Sequence, residues 1–186
     1  MYGWRSEIIM RIVVALTGAS GSVVGIRLVE ELKKKNLDVS TIISKAGAKV
    51  IALETGNKFG ADYGEDEIDA DISSSSNKID AFIICPCSMK TLSAVANGYT
   101  ENLIVRLADN CLKMRRKLVV CIRDTPYNLM HIENMKKVTL AGGIVMPLNA
   151  AYYFNPKTVD DFTNFFVGKI MDILNMDHNL YARWNK

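Results

Sequence analysis

Apolar residues gather along this chain in five short runs, at 11–16, 38–43, 79–85, 118–122 and 143–146. Each has the length of a strand. Between the runs the spacing becomes helical. Val24, Leu28, Val29 and Leu32 make one apolar face. Leu103, Ile104, Leu107, Ala108, Cys111 and Leu112 make a second, with Arg106, Asp109 and Lys113 beside it. From Thr158 to Leu174 a helix is predicted, striped by Phe162, Phe165, Phe166, Ile170 and Ile173. This alternation predicts an α/β fold: a mostly parallel sheet with helices on both faces.

No linker or internal repeat divides the 186 residues, so one domain is expected over 11–186. Residues 1–10 read as an N-terminal extension, either disordered or a product of start-site choice, since Met10 directly precedes the first run. That leader has one Arg and no long apolar stretch, which is not a secretory signal. No run approaches the ~18 apolar residues of a membrane helix. A net charge of +3 is too weak to argue for nucleic acid, though a small anion fits a few clustered cations. Cys85, Cys87, Cys111 and Cys121 follow no standard zinc spacing. They read as buried thiols of a reduced, cytoplasmic protein.

Candidate chemistry lies where the strand-like runs end. Gly18-Ala19-Ser20-Gly21 follows the first run and opens a helix. Free amides at a helix start and the helix dipole favour an anion there, and Ser20 adds a hydroxyl. The glycine spacing is neither G-x-G-x-x-G nor a G-x-x-x-x-G-K-[ST] loop, so a phosphate-bearing ligand is expected without a standard NAD or ATP site. Ser44-Lys45 follows the second run, Pro86-Cys87-Ser88-Met89-Lys90-Thr91 the third, and Arg123-Asp124-Thr125-Pro126 the fourth. Hydroxyls and cations at four successive strand ends predict a phosphate-ligand crevice at the carboxyl edge of the sheet.

Other features have plainer readings. Asp69–Asn77, with serines at 73 to 76, reads as a solvated connector. His131 is expected on a helix surface or in a cap, and His178 in solvent near the C-terminus. Lys169 falls on or beside the Phe162–Ile173 stripe. It either snorkels to water or meets an anion in a partly apolar pocket.

Taken together, the loops resemble the flavin prenyltransferases of UbiX type, which are related to the flavin-dependent cysteine-type decarboxylases. Gly18–Gly21, Ser44-Lys45, Pro86-Cys87-Ser88-Met89-Lys90-Thr91-Leu92, Leu112-Lys113-Met114-Arg115-Arg116, Arg123–Pro126 and Ala182-Arg183-Trp184 carry the resemblance, from about Met10 to Trp184. It implies a flavodoxin-like or Rossmann-like fold and a homo-oligomer, a dodecamer in the family. It implies transfer of a dimethylallyl group from dimethylallyl monophosphate to reduced FMN, without a metal. The prenylated FMN formed is the cofactor of UbiD-type decarboxylases.

By matched motif, Gly18, Ala19 and Ser20 line the flavin, with Ser20 near the reacting nitrogen. Ser44, Ser88, Met89, Lys90, Thr91 and Arg123 complete the FMN site. Lys113, Arg123, Tyr153 and Lys169 hold the prenyl phosphate, and Trp184 is an aromatic wall. Asp124 stands where the family usually has Glu, and it is one methylene shorter for proton transfer to the leaving phosphate. Asn77 replaces an aromatic residue found in many members, and Lys169 offers a point charge where some members have an Arg fork. The chemistry suits such residues, because preorganised cations stabilise a leaving phosphate and aromatic faces an allylic cation. Two alternatives stay open. One is an FMN-dependent decarboxylase of cysteine-like thiols, whose family reads P-A-S-A-N-T where this chain has P-C-S-M-K-T. The other is a non-catalytic FMN-binding protein.

Overall fold

The computed structural model describes residues 9–184, so most of the expected 1–10 extension lies outside the described residues. Six strands form one parallel sheet: β1 (Arg11–Leu16), β2 (Asp38–Ile43), β3 (Tyr63–Gly64), β4 (Ala81–Cys87), β5 (Lys117–Ile122) and β6 (Ile144–Val145). Their order is β3-β2-β1-β4-β5-β6. The helices are α1 (Ser22–Lys33), α2 (Lys45–Thr55), α3 (Met89–Ala96), α4 (Leu103–Lys113), α5 (Leu129–Leu140) and α6 (Val159–Ile173).

Strand periodicity sorts the core into two layers. Ile12, Val14, Leu16, Ile83, Cys85, Val119 and Cys121 face α1, α2 and α6, meeting Leu28, Ile51, Phe166 and Ile170. Val13, Ala15, Phe82, Ile84, Val120 and Ile122 face α3, α4 and α5, meeting Leu92, Leu107 and Val138. Burial on both faces explains why these strands read as continuous apolar runs. All four cysteines are buried free thiols, as their positions implied. Burial pushes the Cys87 thiol well up and raises that of Cys111 to about 12.

The chain departs from its apolar pattern in three places. The run at 79–85 becomes a strand that continues through Pro86 to Cys87, with a register shift between Ile84 and Cys87. Proline has no N–H to donate, but the Pro86 carbonyl still accepts the Thr17 amide at 3.1 Å. β3 is only two residues long and leaves no apolar run to find. The serine segment is held rather than solvated. Asn110 and Arg106 donate to the Ser73 carbonyl at 2.6 and 3.3 Å, and Arg116 donates to the Ser75 and Asn77 carbonyls.

Two glycines are needed for geometry. Gly21, at φ 96°, lets the chain turn into α1. Gly25 lets α1 lie against β4, where a Cβ would fall 2.1 Å from the Cys85 carbonyl oxygen. Backbone cannot yield there as a flexible side chain would. Gly25→Ala is expected to cost about 3 kcal/mol of stability by forcing helix and sheet apart, measured by urea titration. An unchanged midpoint would contradict this packing.

Candidate functional site

The strand order reverses direction at β1, which lies between β2 and β4. Loops leaving the carboxyl ends of β1 and β4 go to opposite faces and leave a crevice between them. Gly18–Gly21 forms one lip and Ser88–Thr91 the other. At its base is a hollow of ≈ 70 Å³ lined by Gly18, Ser44, Ser88, Lys90, Thr91 and Asn102 and also by the carboxylates Glu65 and Glu101, the latter 3.5 Å from the Lys90 ammonium. Five sequence-predicted site residues thus meet in one small space. Ala19 is buried beside them and Ser20 is exposed at the rim. Met89 packs against the α3–α5 core. The Arg123 amide donates to the Cys87 carbonyl at 3.3 Å, which holds the β5 loop alongside. The Asp124 carboxylate turns back to accept the Thr125 amide at 2.8 Å.

The helices that follow β1, β2 and β4 begin beside this hollow, as does α4 with its Asn102 cap, and the starts of α1, α2 and α3 differ. At α1 the expected anion site is filled from within the chain. Glu54 accepts the Gly21 amide at 2.9 Å, the Ser22 amide at 2.8 Å and the Ser22 hydroxyl at 2.6 Å. Burial works to raise the Glu54 pKa, but hydrogen bonds from Ser22, Ser20 and the amides outweigh it and hold the carboxyl below its usual range. At α2 the Lys45 amide donates to Glu65 at 2.7 Å, behind the Ser44 cap on Gly47. At α3 the Ser88 hydroxyl caps the Thr91 amide at 3.3 Å and lies 3.0 Å from the Thr91 hydroxyl. Among the described residues no carboxylate sits on the α3 amides. Of these three starts, that of α3 is the one whose amides carry no carboxylate, which favours it over α1 for an exogenous anion.

Within one chain Lys113 does not meet Lys169 or Arg123, with which the motif match groups it on one prenyl phosphate. Lys113 ends α4 on one face of the sheet and pairs with Asp109 at 3.8 Å. Lys169 lies on α6, which packs on the other face. The sheet and its two flanking helix layers, each about 10 Å thick, separate them. Arg123 follows β5 whereas Lys113 precedes it, so the strand's length, about 20 Å, separates these two as well.

Tyr153, Lys169 and Trp184 do share a neighbourhood. The Tyr153 and Trp184 rings meet edge-on at 5.2 Å, and Tyr153 also meets Phe165. Lys169 lines a groove of ≈ 400 Å³ with Met146, Pro147, Phe165, Phe166 and Asp172. Its ammonium is 3.8 Å from Asp172 and 5.8 Å from the centre of the Tyr181 ring. Asp172 is the hub of this corner. It accepts the Tyr181 hydroxyl at 2.6 Å and Arg183 at 2.8 Å, and lies 3.1 Å from His178 Nε2. The His178 side chain is 3% exposed, not in solvent as expected. His131 does cap α5, reciprocally with Asn128.

Sequence reasoning missed Glu54, Glu65, Asp172 and the buried Thr17. Glu54 and Asp172 left a signal: each is an acidic residue near the C-terminal end of a helix, where the dipole disfavours it.

The strand order, the switch-point crevice and the hydroxyl-lined α3 start define a doubly wound α/β protein with a phosphate-compatible site at its sheet edge. The family model described as Flavoprotein matches residues 5–171. The flavin prenyltransferase UbiX of Methanocaldococcus jannaschii is 47% identical over 182 residues, covering 94% of this chain and 98% of that protein. The crystal structure of AnUbiX (PadA1) in complex with FMN and dimethylallyl pyrophosphate has a TM-score of 0.92 at 37% identity, over 96% of this chain and 98% of that one. A dodecameric FMN-dependent UbiX-like decarboxylase from Escherichia coli O157:H7 has a TM-score of 0.89 at 34% identity, over 95% and 100%. The chain belongs to the flavoprotein family, and within it to the flavin prenyltransferases of UbiX type.

The Asp172 hub has a stability signature. Burial works to raise its pKa, but Tyr181, Arg183 and His178 outweigh this and hold the carboxyl below the ordinary value of 3.8. A lowered folded pKa contributes stability above the unfolded value and loses it as pH falls through the folded one. Asp172→Asn should therefore cost about 1–3 kcal/mol at pH 7. The difference from the parent chain should shrink as pH drops below the ordinary aspartate value. Urea titrations at several pH values read this, and a gap independent of pH would contradict the hub.

Proposed function

We propose that this chain joins a dimethylallyl group from dimethylallyl monophosphate to reduced FMN. The C–O bond to phosphate breaks, a bond from the allylic carbon to a flavin nitrogen forms, and phosphate leaves. The observation that carries this reading is the meeting of Gly18, Ser44, Ser88, Lys90 and Thr91 in one hollow at the switch point, in a chain of this family.

The residues fit FMN by their donor chemistry. Three hydroxyls and the uncovered α3 start suit a phosphate monoester, with the Lys90 ammonium exchanging Glu101 for the phosphate and Glu65 held on the Lys45 amide. The hollow, at ≈ 70 Å³, has room for the phosphate end and not for the ring system. The ring then lies over Gly18–Ser20, within reach of Ser20 at the rim. Reduced FMN supplies the nucleophilic nitrogen when bound. Lys169 and Tyr153 hold the prenyl phosphate from one chain, with Trp184 as the wall beside the allylic carbon. Arg123 completes the phosphate grip, and Lys113 joins it from a neighbouring copy, because α4 and α6 lie on opposite sheet faces. Asp124 delivers a proton to the departing phosphate through a small shift or a water. The active form is thus a closed homo-oligomer. The dodecameric relative supports this, as do exposed apolar side chains such as Leu129, Met130, Leu140 and Trp184. The product serves UbiD-type decarboxylases. A cytoplasmic location rests on the four free thiols, and among the described residues no helix is long and apolar enough to cross a membrane.

The decarboxylase and carrier alternatives have no observation in their favour. Anaerobic incubation with reduced FMN and dimethylallyl monophosphate, followed by mass spectrometry, should give flavin heavier by one prenyl unit. Unmodified flavin at full FMN occupancy would overturn the reading. Lys169→Met should keep FMN affinity and lower turnover at limiting prenyl phosphate roughly ten- to a hundredfold.

The shared site makes a sharper forecast. Lys113→Met and Lys169→Met should each be nearly inactive alone. Coexpressed in mixed oligomers, they should regain up to about a quarter of parental activity, since each site draws its two lysines from different copies. No recovery in verified mixed oligomers would place both lysines in one chain.

A further inference from the structure

The two lips of the crevice are tied together by a side chain outside both glycine- and serine-bearing motifs. Thr17 directly follows β1 and is 2% exposed, so it touches no ligand. Its hydroxyl donates to the Pro86 carbonyl at 2.8 Å and accepts the Ser88 amide at 2.8 Å. Its amide donates to the same Pro86 carbonyl at 3.1 Å, and its carbonyl accepts the Ala19 amide at 2.8 Å. One residue therefore sets the distance between Gly18–Ala19 and the start of α3.

The hydroxyl is the part that cannot be replaced by shape. Only a group that donates and accepts at once can serve Pro86 and Ser88 together. If the hydroxyl is lost, Pro86 keeps the Thr17 amide, but the Ser88 amide keeps nothing among the described residues. Regular pairing is interrupted just before this stretch, where β4 shifts register between Ile84 and Cys87, and resumes only at Cys87 opposite Ile122. Ser88 is the N-cap of α3, so its backbone orientation decides where its own hydroxyl, the Thr91 hydroxyl and the first-turn amides point.

We propose that Thr17 is a positioning residue for the phosphate of FMN: its hydroxyl locks the Ser88 backbone so that the α3 start is preorganised around that anion. This rests on the reading above that the FMN phosphate lies at the α3 start. A positioned donor set favours binding because its ordering cost is met during folding and not during association. A hydroxyl that merely satisfied the core would alter stability and leave ligand preference untouched.

The test separates phosphate recognition from general damage by using two probes, FMN and riboflavin, which lacks the phosphate. Binding to the full chain is followed by quenching of flavin fluorescence, for the parent, Thr17→Ser and Thr17→Val. The parent should prefer FMN to riboflavin. Thr17→Val should weaken FMN by about tenfold or more, with riboflavin changed less than about threefold, the scale of a disrupted hydrogen-bond set. Thr17→Ser keeps the hydroxyl and should restore the FMN preference to within about threefold, although it loses a buried methyl. If Thr17→Val does not fold, Thr17→Ala set against Thr17→Ser makes the same contrast. A preference for FMN that survives loss of the hydroxyl overturns the role of Thr17 alone, as does equal weakening of both probes. A parent chain that does not distinguish FMN from riboflavin overturns this proposal together with the phosphate placement beneath it.

Discussion

Parallel pairing of β1 with β4 is the interaction on which the rest of this structure depends. Ile12 pairs with Ala81 and Ala15 with Ile84, in the centre of the sheet. Because β1 also pairs with β2 on its other side, the chain must leave β1 and β4 toward opposite faces. That topological necessity opens the crevice, and no side chain has to be spent in creating it. What the side chains do is tune its width and charge. Gly25 allows α1 to come down onto Cys85, and Thr17 holds the β4 loop against the end of β1.

Charge is distributed along this edge by occupation. The starts of α1, α2 and α3 lie there among others, and each offers amides to an anion. Glu54 takes the first and Glu65 the second. A site that left all three open would hold anions without selecting where they sit. Internal carboxylates at two of them leave the third, at the hydroxyls of Ser88 and Thr91, as the position proposed for a phosphate. The same logic applies at the far corner, where Asp172 gathers Tyr181, Arg183, His178 and Lys169 onto one carboxylate. There a single half-buried charge ties down the C-terminal segment, beside which Trp184 meets Tyr153.

Much of this was legible in the sequence, for identifiable reasons. β1 falls where its apolar run lies, because a strand buried on both faces has no polar alternation to confuse it, and β2 is found from the buried Ile42 and Ile43 at its end. The tail helix begins at Thr158 and shows a capping box with Asp161, a local pattern that tertiary packing did not need to override. The loops Gly18–Gly21, Ser44 and Ser88–Thr91 were found because strand ends in a parallel sheet share one edge by construction. Glu54 escaped because its contact with Ser22 spans two elements, and nothing in local spacing encodes it. His178 escaped for the same reason, as its partner Asp172 is reached only after the chain folds back over Gly168. The expected convergence of Lys113 with Lys169 failed in one chain because a motif match carries roles but not faces of the sheet. A serine-rich stretch looks solvated until Arg106, Asn110 and Arg116 on and beside α4 are seen to hold its carbonyls.

The central claim is that the phosphate of FMN lies at the start of α3 and that Glu54 excludes it from the start of α1. A structure of the chain soaked or grown with FMN measures this directly. The account predicts the phosphate oxygens within hydrogen-bond distance of Ser44, Ser88 and Thr91, with Glu54 still on the Gly21 and Ser22 amides. A phosphate seated on the α1 amides, with Glu54 displaced into solvent, would contradict it.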